Sequence, residues 1–340
     1  MAALKDWLQL FRSHTSPLEM VITITGSALA VGTVLDIKVL LFLIFGWLYH
    51  NSGYGHNSVE DFIQGYDADD PNKSHHPLQR GAIDPLIARY VCIVLVTATF
   101  LYGIFISGLD TVAMVILATI TFSGALYNIY GKRMKGKFIP IALAHSLLLP
   151  FSYFGAGGEL IFNSGYPYFE EPIYLIVILS VSYMVAQIIY QIMIEGDLKD
   201  IYMDEASLLR TLGAGIKEGR FKASLAARAF SLFVKSISIS LLFWIIFTAR
   251  GGPLTYLLLM IFAVLMILRD DRMMMERPWD HSTTLKDMAL MEVLSTFALL
   301  LAAAPVIGGL WLALVVMLFN TCYFILMNRF LWGTFIKPRV

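Results

Sequence analysis

Apolar runs separated by short polar clusters recur along the whole chain, each near the roughly 20 residues that a helix needs to cross a bilayer core. Hydropathy places ten spans, at 18–35, 37–56, 86–108, 110–130, 138–157, 172–195, 226–249, 252–268, 288–304 and 307–327. The last two are parted only by Pro305 and the Gly308-Gly309 pair. The pattern predicts an all-α, polytopic transmembrane helical bundle, with no internal repeat and no low-complexity tract. Residues 1–17 carry Lys5, Asp6 and Arg12 around no apolar core of their own. They read as a short N-terminal segment and not as a cleaved signal peptide, which leaves the first span as the insertion signal.

Composition narrows the class. Of 340 residues, 58% are hydrophobic and 15% charged, against about 25% charged in a soluble domain; a water-soluble globule cannot hide that much apolar surface. Cys92 and Cys322 lie inside apolar runs, so neither a disulfide framework nor a thiolate metal site is expected. Nothing in the sequence calls for a nucleic acid or an obligate protein partner.

The balance of 25 basic and 25 acidic residues conceals a segregation. With the N-terminus inside, the outer loops receive only Lys38 and Arg250, Lys235 lies within the seventh span, and every other Lys and Arg falls on the cytoplasmic face. The positive-inside rule then sets both termini in the cytoplasm of a multi-pass protein of the cell membrane. Lys235 is left to snorkel or to face a cavity. The outer loop 158–171 is acidic and aromatic, without a basic residue.

The acids cluster on that same face. Glu60, Asp61, Asp67, Asp69 and Asp70 follow span two; Glu195, Asp197, Asp200, Asp204 and Glu205 follow span six. Asp197, Asp200 and Asp204, spaced i, i+3, i+7, share one stripe of a helix continuing out of span six. Like charges on one stripe repel, and a divalent cation relieves them; Mg²⁺ takes oxygen ligands from one or two carboxylates plus substrate phosphates. In the first cluster Gly65 permits a turn, so its carboxylates can converge. Anionic headgroups disfavour acidic runs at this face, and two such runs point to paired metal sites. The basic loop after span four, Tyr127-Asn128-Ile129-Tyr130-Gly131-Lys132-Arg133, adds cations placed to hold phosphate oxygens. Together these suggest an amphipathic substrate with a diphosphate head.

With these residues the chain resembles the UbiA superfamily of intramembrane prenyltransferases over roughly residues 18–304. Asp197-x2-Asp200-x3-Asp204 reproduces the family's DxxDxxxD motif, and Arg210-Thr211-Leu212 resembles its RTL sequence. Asn57-Ser-Val-Glu-Asp61-Phe-Ile-Gln-Gly65-Tyr-Asp67-Ala-Asp-Asp70 is similar to the NDxxDFxxGxDxxD form of menaquinone-pathway members. Tyr127-Asn128-x3-Lys132 resembles the YNxxxK stretch of digeranylgeranylglyceryl phosphate synthases. Two departures stand out. Ser58 replaces the usual first aspartate, which weakens one ligand or passes its task to Glu60 or Asp61. The family generally has nine helices, so residues 305–340 form an added C-terminal helix and short tail, or the bundle has nine helices and not ten.

The resemblance implies a Mg²⁺-dependent transfer of a polyprenyl group from a prenyl diphosphate to an aromatic or lipid acceptor, with Mg²⁺ between the two clusters and the diphosphate. It assigns metal to Asn57, Asp61, Asp67, Asp197, Asp200 and Asp204, and diphosphate oxygens to Asn57, Lys132, Arg133, Arg80 and Lys199. Asp61, Asp200 and Lys132 become the catalytic set; Asp70, Glu195 and Tyr127 stand behind them, and His75 and His76 read as a polar loop. The bundle interior would hold the prenyl tail, and its aromatics would stabilise an allylic cation. Two other readings stay open. One is a terpene cyclase of the same fold that needs no acceptor. The other is a transporter or scaffold with Lys235 and Gln187 along a path.

Overall fold

A computed structural model describes residues 3–67, 75–130, 138–159, 172–199, 201 and 207–335. The helices are α1 (Leu4–Leu10), α2 (Pro17–Val31), α3 (Ile37–Ile63), α4 (Pro85–Ile106), α5 (Thr111–Tyr130), α6 (Phe138–Ser146), α7 (Leu148–Gly155) and α8 (Pro172–Tyr190). A wide π turn, Gln191–Gly196, leads into α9 (Asp197–Lys199), then α10 (Leu208–Thr211), α11 (Leu225–Thr248), α12 (Pro253–Met274), α13 (His281–Ala303) and α14 (Leu310–Trp332). Among the described residues, eight segments are long and apolar enough to cross a membrane. The first two predicted spans are helices, α2 with 15 residues and α3 with a polar second half, but they are not among these eight.

Two details depart from the hydropathy reading. The fifth span is broken at Leu147 into α6 and α7, and the ninth begins at His281, where Asp280 accepts from the amides of Ser282 and Thr283 and starts the helix earlier than its apolar part. The chain also carries a small antiparallel sheet, β1 (Gly215–Lys217), β2 (Arg220–Lys222) and β3 (Arg277–Pro278), in that order. Glu218 (φ 51°) and Gly219 (φ 72°) close its hairpin with the two positive φ values that suit the strand twist. Phe221 is fully buried between the charged Arg220 and Lys222, the alternation of a half-buried strand.

The chain forms two compact units, residues 1–164 with 311–340, and residues 165–310. In the first, backbones approach closely at small residues. A Cβ on Gly46 would meet the Glu19 carbonyl at 2.8 Å, and one on Gly26 would meet the Leu149 carbonyl at 2.3 Å, so α2 lies tight against both α3 and α7, as small residues permit in membrane helices. Phe42, Phe45 and Phe151 fill the core between them, with ring centroids 4.8 Å apart for Phe45 and Phe151. α14 belongs to this unit. Trp47 Nε1 donates to Tyr323 Oη (2.7 Å), Tyr323 Oη to the Ser13 carbonyl (3.0 Å), and Gln9 Nε2 to the Leu331 carbonyl (2.7 Å). In the second unit, α8 packs on α11 and α12 on α13, with Tyr183 Oη donating to the Ser295 carbonyl at 2.7 Å.

Candidate active site

The first motif lies where α3 ends. Asn57 and Asp61 share one face of the helix, and Asn57 Nδ2 donates to Asp61 Oδ2 at 3.0 Å. Gly65 takes φ +85°, the left-handed value that only glycine adopts without strain. The amides of Tyr66 and Asp67 then turn back onto the Asp61 carbonyl at 2.9 and 3.3 Å, and Gln79 Nε2 holds the Asp67 carbonyl at 2.8 Å. The backbones of Asp61 and Asp67 are thus brought together, and both residues are buried, at the negative end of the α3 dipole. An amide and two carboxylates there offer oxygen ligands only, the donor chemistry that suits Mg²⁺. Asp70, which follows, lies outside the described residues.

Ser58 does not take a ligand's place in this set. It is fully buried, and its Oγ has no hydrogen-bond partner among the described residues. Glu60 is committed elsewhere: Arg89 reaches its two oxygens at 2.7 and 3.2 Å, and His56 Nε2 stands 3.6 Å from it. Of the two residues that could inherit the missing aspartate's task, Asp61 is the one beside Asn57.

The basic stretch after α5 starts against this motif. Asn128 Nδ2 donates to the Gly53 carbonyl at 3.1 Å, and Gln64 Nε2 to the Ile129 carbonyl at 3.0 Å, so the chain leaves α5 alongside the end of α3. Lys132 and Arg133 themselves lie outside the described residues. Arg80 is tied to α1, through Asp6 and through Gln9 Oε1 at 2.8 Å.

The second motif is built differently. α8 widens into the π turn Gln191–Gly196, a form that recurs at functional sites, and Asp197 follows at once. Asp197 Oδ2 accepts from the Leu209 amide at 3.0 Å, and Ser207 caps α10 through the Arg210 amide. Lys199 is described beside Asp197, whereas Asp200 and Asp204 lie outside the described residues. Glu195, inside the π turn, is buried.

Near each motif lies buried charge that the motifs themselves do not include. In the first unit Glu19 and His50, both wholly buried, meet at 2.6 Å between Oε2 and Nδ1, and His145 Nε2 stands 3.7 Å from Glu19 Oε1. In the second, Lys235 neither snorkels nor reaches solvent. It is wholly buried, with Nζ 3.1 Å from Gln187 Oε1 and 3.5 Å from the Tyr190 ring centroid. Tyr190 Oη and Ser231 both donate to Asp270, and Asp270 and Glu195 attract Lys235 electrostatically. The signal was available: an acid or lysine inside an apolar span demands a partner.

The profile of the UbiA prenyltransferase family matches residues 20–282. Among solved structures, the chain is similar to a digeranylgeranylglyceryl phosphate synthase (18% identity, TM-score 0.60, covering 90% of this chain and 99% of that one). It is also similar to a UbiA homologue from Archaeoglobus fulgidus (14% identity, TM-score 0.53, covering 88% and 99%), and to the same homologue bound to GPP and Mg²⁺ (14%, TM-score 0.54, covering 88% and 99%). At these identities the likeness is one of fold. The chain matches no curated protein at a significant level.

Proposed function

The chain belongs to the UbiA prenyltransferase family, is an intramembrane prenyltransferase, and we propose that it carries a polyprenyl group from a prenyl diphosphate to an aromatic or lipid acceptor within the membrane, releasing diphosphate. The observation that carries this reading is the end of α3, where Asn57 and Asp61 share a helix face and the turn at Gly65 brings the backbone of Asp67 back onto the Asp61 carbonyl. The Archaeoglobus fulgidus homologue, whose fold this chain shares, is known bound to DMAPP and Mg²⁺ and to GPP and Mg²⁺.

In this reading Asn57, Asp61, Asp67, Asp197, Asp200 and Asp204 hold Mg²⁺ and through it the diphosphate. The ion, when bound, neutralises charge that develops on the leaving group. Lys132, Arg133 and Lys199 hold diphosphate oxygens, and Arg80 joins them when it leaves Asp6. As the bond from C1 to the bridging oxygen breaks, its electron pair goes to the diphosphate. The acceptor's electron pair then closes on C1, and its proton departs. Lys132 would meet the growing negative charge of the diphosphate directly, and Asp61 and Asp200 would act on it through the Mg²⁺ they hold, which makes these three the catalytic set of this reading. The Asn57–Asp61 hydrogen bond keeps the amide oxygen of Asn57 turned outward from the carboxylate it touches. The motif loops and both termini lie on the cytoplasmic side in this reading, which the distribution of Lys and Arg supports.

The test is membranes holding the full chain, labelled geranylgeranyl diphosphate, Mg²⁺ and a panel of aromatic and glyceryl phosphate acceptors. Labelled lipid that appears with acceptor, and is lost with Asp200→Ala, is the expected result. A cyclised hydrocarbon formed without acceptor would overturn the transfer step, and no diphosphate release under any condition would overturn the whole reading.

A further inference from the structure

At the motif end of the second unit, three arginines converge on one carboxylate. Arg269 Nη1 lies 2.5 Å from Asp287 Oδ1, and Arg272 Nε and Arg277 Nη1 lie 3.3 and 3.2 Å from Asp287 Oδ2. Asp287 is 3% exposed in its side chain, whereas Arg272 is 59% exposed, so the group is closed below and open above. Arg269 and Arg272 come from the last turns of α12, Asp287 from α13, and Arg277 from β3, where pairing with Phe221 of β2 fixes its backbone. α13 also packs against the Asp197–Lys199 segment.

Among the described residues the charges within this cluster do not balance. One carboxylate neutralises one guanidinium and leaves two positive charges. The other described acids of this region make their own contacts and none is paired with these arginines: Asp271 with Arg228 at 2.7 Å, Glu276 with Arg220 and Lys222, Asp270 with Tyr190 and Ser231, and Asp280 with the first amides of α13. Donors are in excess as well. Each guanidinium has five N–H groups, and beyond Asp287 the one further acceptor among described residues is Thr284 Oγ1, 2.9 Å from Arg277 Nη2. Arg277 Nε is buried with no hydrogen-bond partner among the described residues. Two uncompensated, fork-shaped cations at the end of a membrane bundle form a site for a planar or tetrahedral oxyanion.

We propose that Arg269, Arg272 and Arg277 form a binding site for a phosphate monoester, separate from the aspartate motifs. The charge selects the ligand class. A monoester carries about −1.5 to −2 at neutral pH and so matches the surplus, whereas a phosphodiester headgroup carries one negative charge and leaves half of it unmet. Asp287 holds the three side chains together and competes with the ligand for them. The binding does not rest on the transferase reading.

The experiment uses the full chain in nanodiscs of phosphatidylcholine, with lipid binding read by native mass spectrometry or labelled-lipid titration and no prenyl diphosphate present. Phosphatidic acid is expected to bind clearly tighter than phosphatidylglycerol. Arg272→Gln, at the exposed rim, is expected to weaken phosphatidic acid about tenfold, the scale of one charge-assisted hydrogen bond, while Arg250→Gln in the α11–α12 turn changes nothing. Asp287→Asn is expected to strengthen it by freeing donors; should that variant fail to fold, Arg272→Gln still decides. Inorganic phosphate titrated against the bound lipid identifies the source. Displacement at comparable concentration assigns a soluble phosphate, no displacement assigns the lipid, and the site stands in either case. Equal affinity for monoester and diester, or for wild type and Arg272→Gln, overturns the proposal. Because the readout is binding, failure here leaves the transfer reaction untouched, and failure of that reaction leaves this site intact.

Discussion

The two motif-bearing helices solve one problem by opposite means. α3 stays regular to Ile63 and shapes its motif afterwards, by a left-handed glycine that folds Asp67 back onto Asp61. α8 shapes its motif beforehand, by a π turn inside the helix. One extra residue in a turn rotates everything downstream by about 100°, so Asp197 leaves on a different face from the one an uninterrupted α8 would present. A distortion after a helix moves only the loop, whereas a distortion within it must be held by the neighbours. The buried charges follow suit. Glu19 and His50 form a compact pair under a straight helix, while Lys235, Gln187, Tyr190, Asp270 and Ser231 form an extended network directly under the π turn.

The largest expected effect comes from the motifs themselves. Asp61→Ala and Asp197→Ala should each lower single-turnover prenyl transfer by about 10²-fold or more, the scale of removing one preorganised electrostatic contact. The comparison then divides them. Asp197 also anchors the Leu209 amide, so its alanine variant should speed hydrogen exchange across residues 207–213. Asp61→Asn should leave exchange at Tyr66 and Asp67 unchanged, since those amides bond to the Asp61 backbone carbonyl. Equal exchange behaviour in the two variants would remove the distinction.

Next in size are the buried charges. Breaking a buried pair by removing one partner costs about 3–5 kcal/mol in soluble proteins, and polar contacts in membrane bundles run nearer 1–2 kcal/mol. Lys235→Met and Glu19→Gln should therefore both lower thermal stability in detergent. Lys235→Met should also loosen residues 191–199 and raise the Mg²⁺ concentration needed for half-maximal transfer, while Glu19→Gln should leave that concentration where it was. A shift from Glu19→Gln equal to that from Lys235→Met would mean that the π turn needs no support from beneath.

Much of this architecture could be read from the chain. Each apolar run falls on helix, with the fifth broken at Leu147, and Gly65 forms a turn as its residue type allows, because both signals are local: hydropathy over one helix length, and one residue able to adopt positive φ. What escaped is non-local. The π turn has no composition of its own, and the groups that meet the end of α8 before it, Lys235 and Asp270, come from α11 and α12. The hairpin at 215–222 is too short for its alternation to stand out, and its third strand comes from residues 277–278, far along the chain. Glu60 looked like a spare ligand because Arg89, its partner, lies on another helix.

A smaller effect isolates the two turns. Gly65→Ala would place its Cβ in open space, so its whole cost is the positive φ, about 1–2 kcal/mol, felt as faster exchange at Tyr66 and Asp67. Gly196→Ala, at the end of the π turn, has a negative φ, and its Cβ would stand 3.4 Å from the Gln191 carbonyl, an ordinary contact. Its stability should change by less than about 1 kcal/mol. The first turn depends on glycine and the second on its surroundings, and a reversed order of the two variants would contradict that.

The smallest effect concerns the sheet beside the second motif. Glu276 is held below the ordinary glutamate range, first by its hydrogen bonds to Arg220 and Lys222, at 3.0 and 3.3 Å. A carboxylate whose folded value is depressed stabilises the fold in full above its unfolded value, 4.5, and loses that contribution as pH falls through the lower folded value. Amide exchange at Gly215–Lys222 should therefore be slow and flat from pH 7 to about 5 once corrected for intrinsic rates, then accelerate as pH falls further, with Glu276→Gln already fast at pH 7. These groups are exposed, so 1 M salt should erase most of the difference by screening. The turn of the first motif is held by the amides of Tyr66 and Asp67 on the Asp61 carbonyl, and exchange at those two amides should not respond to salt. A salt response of equal size at both places would show that the sheet gains nothing from Glu276.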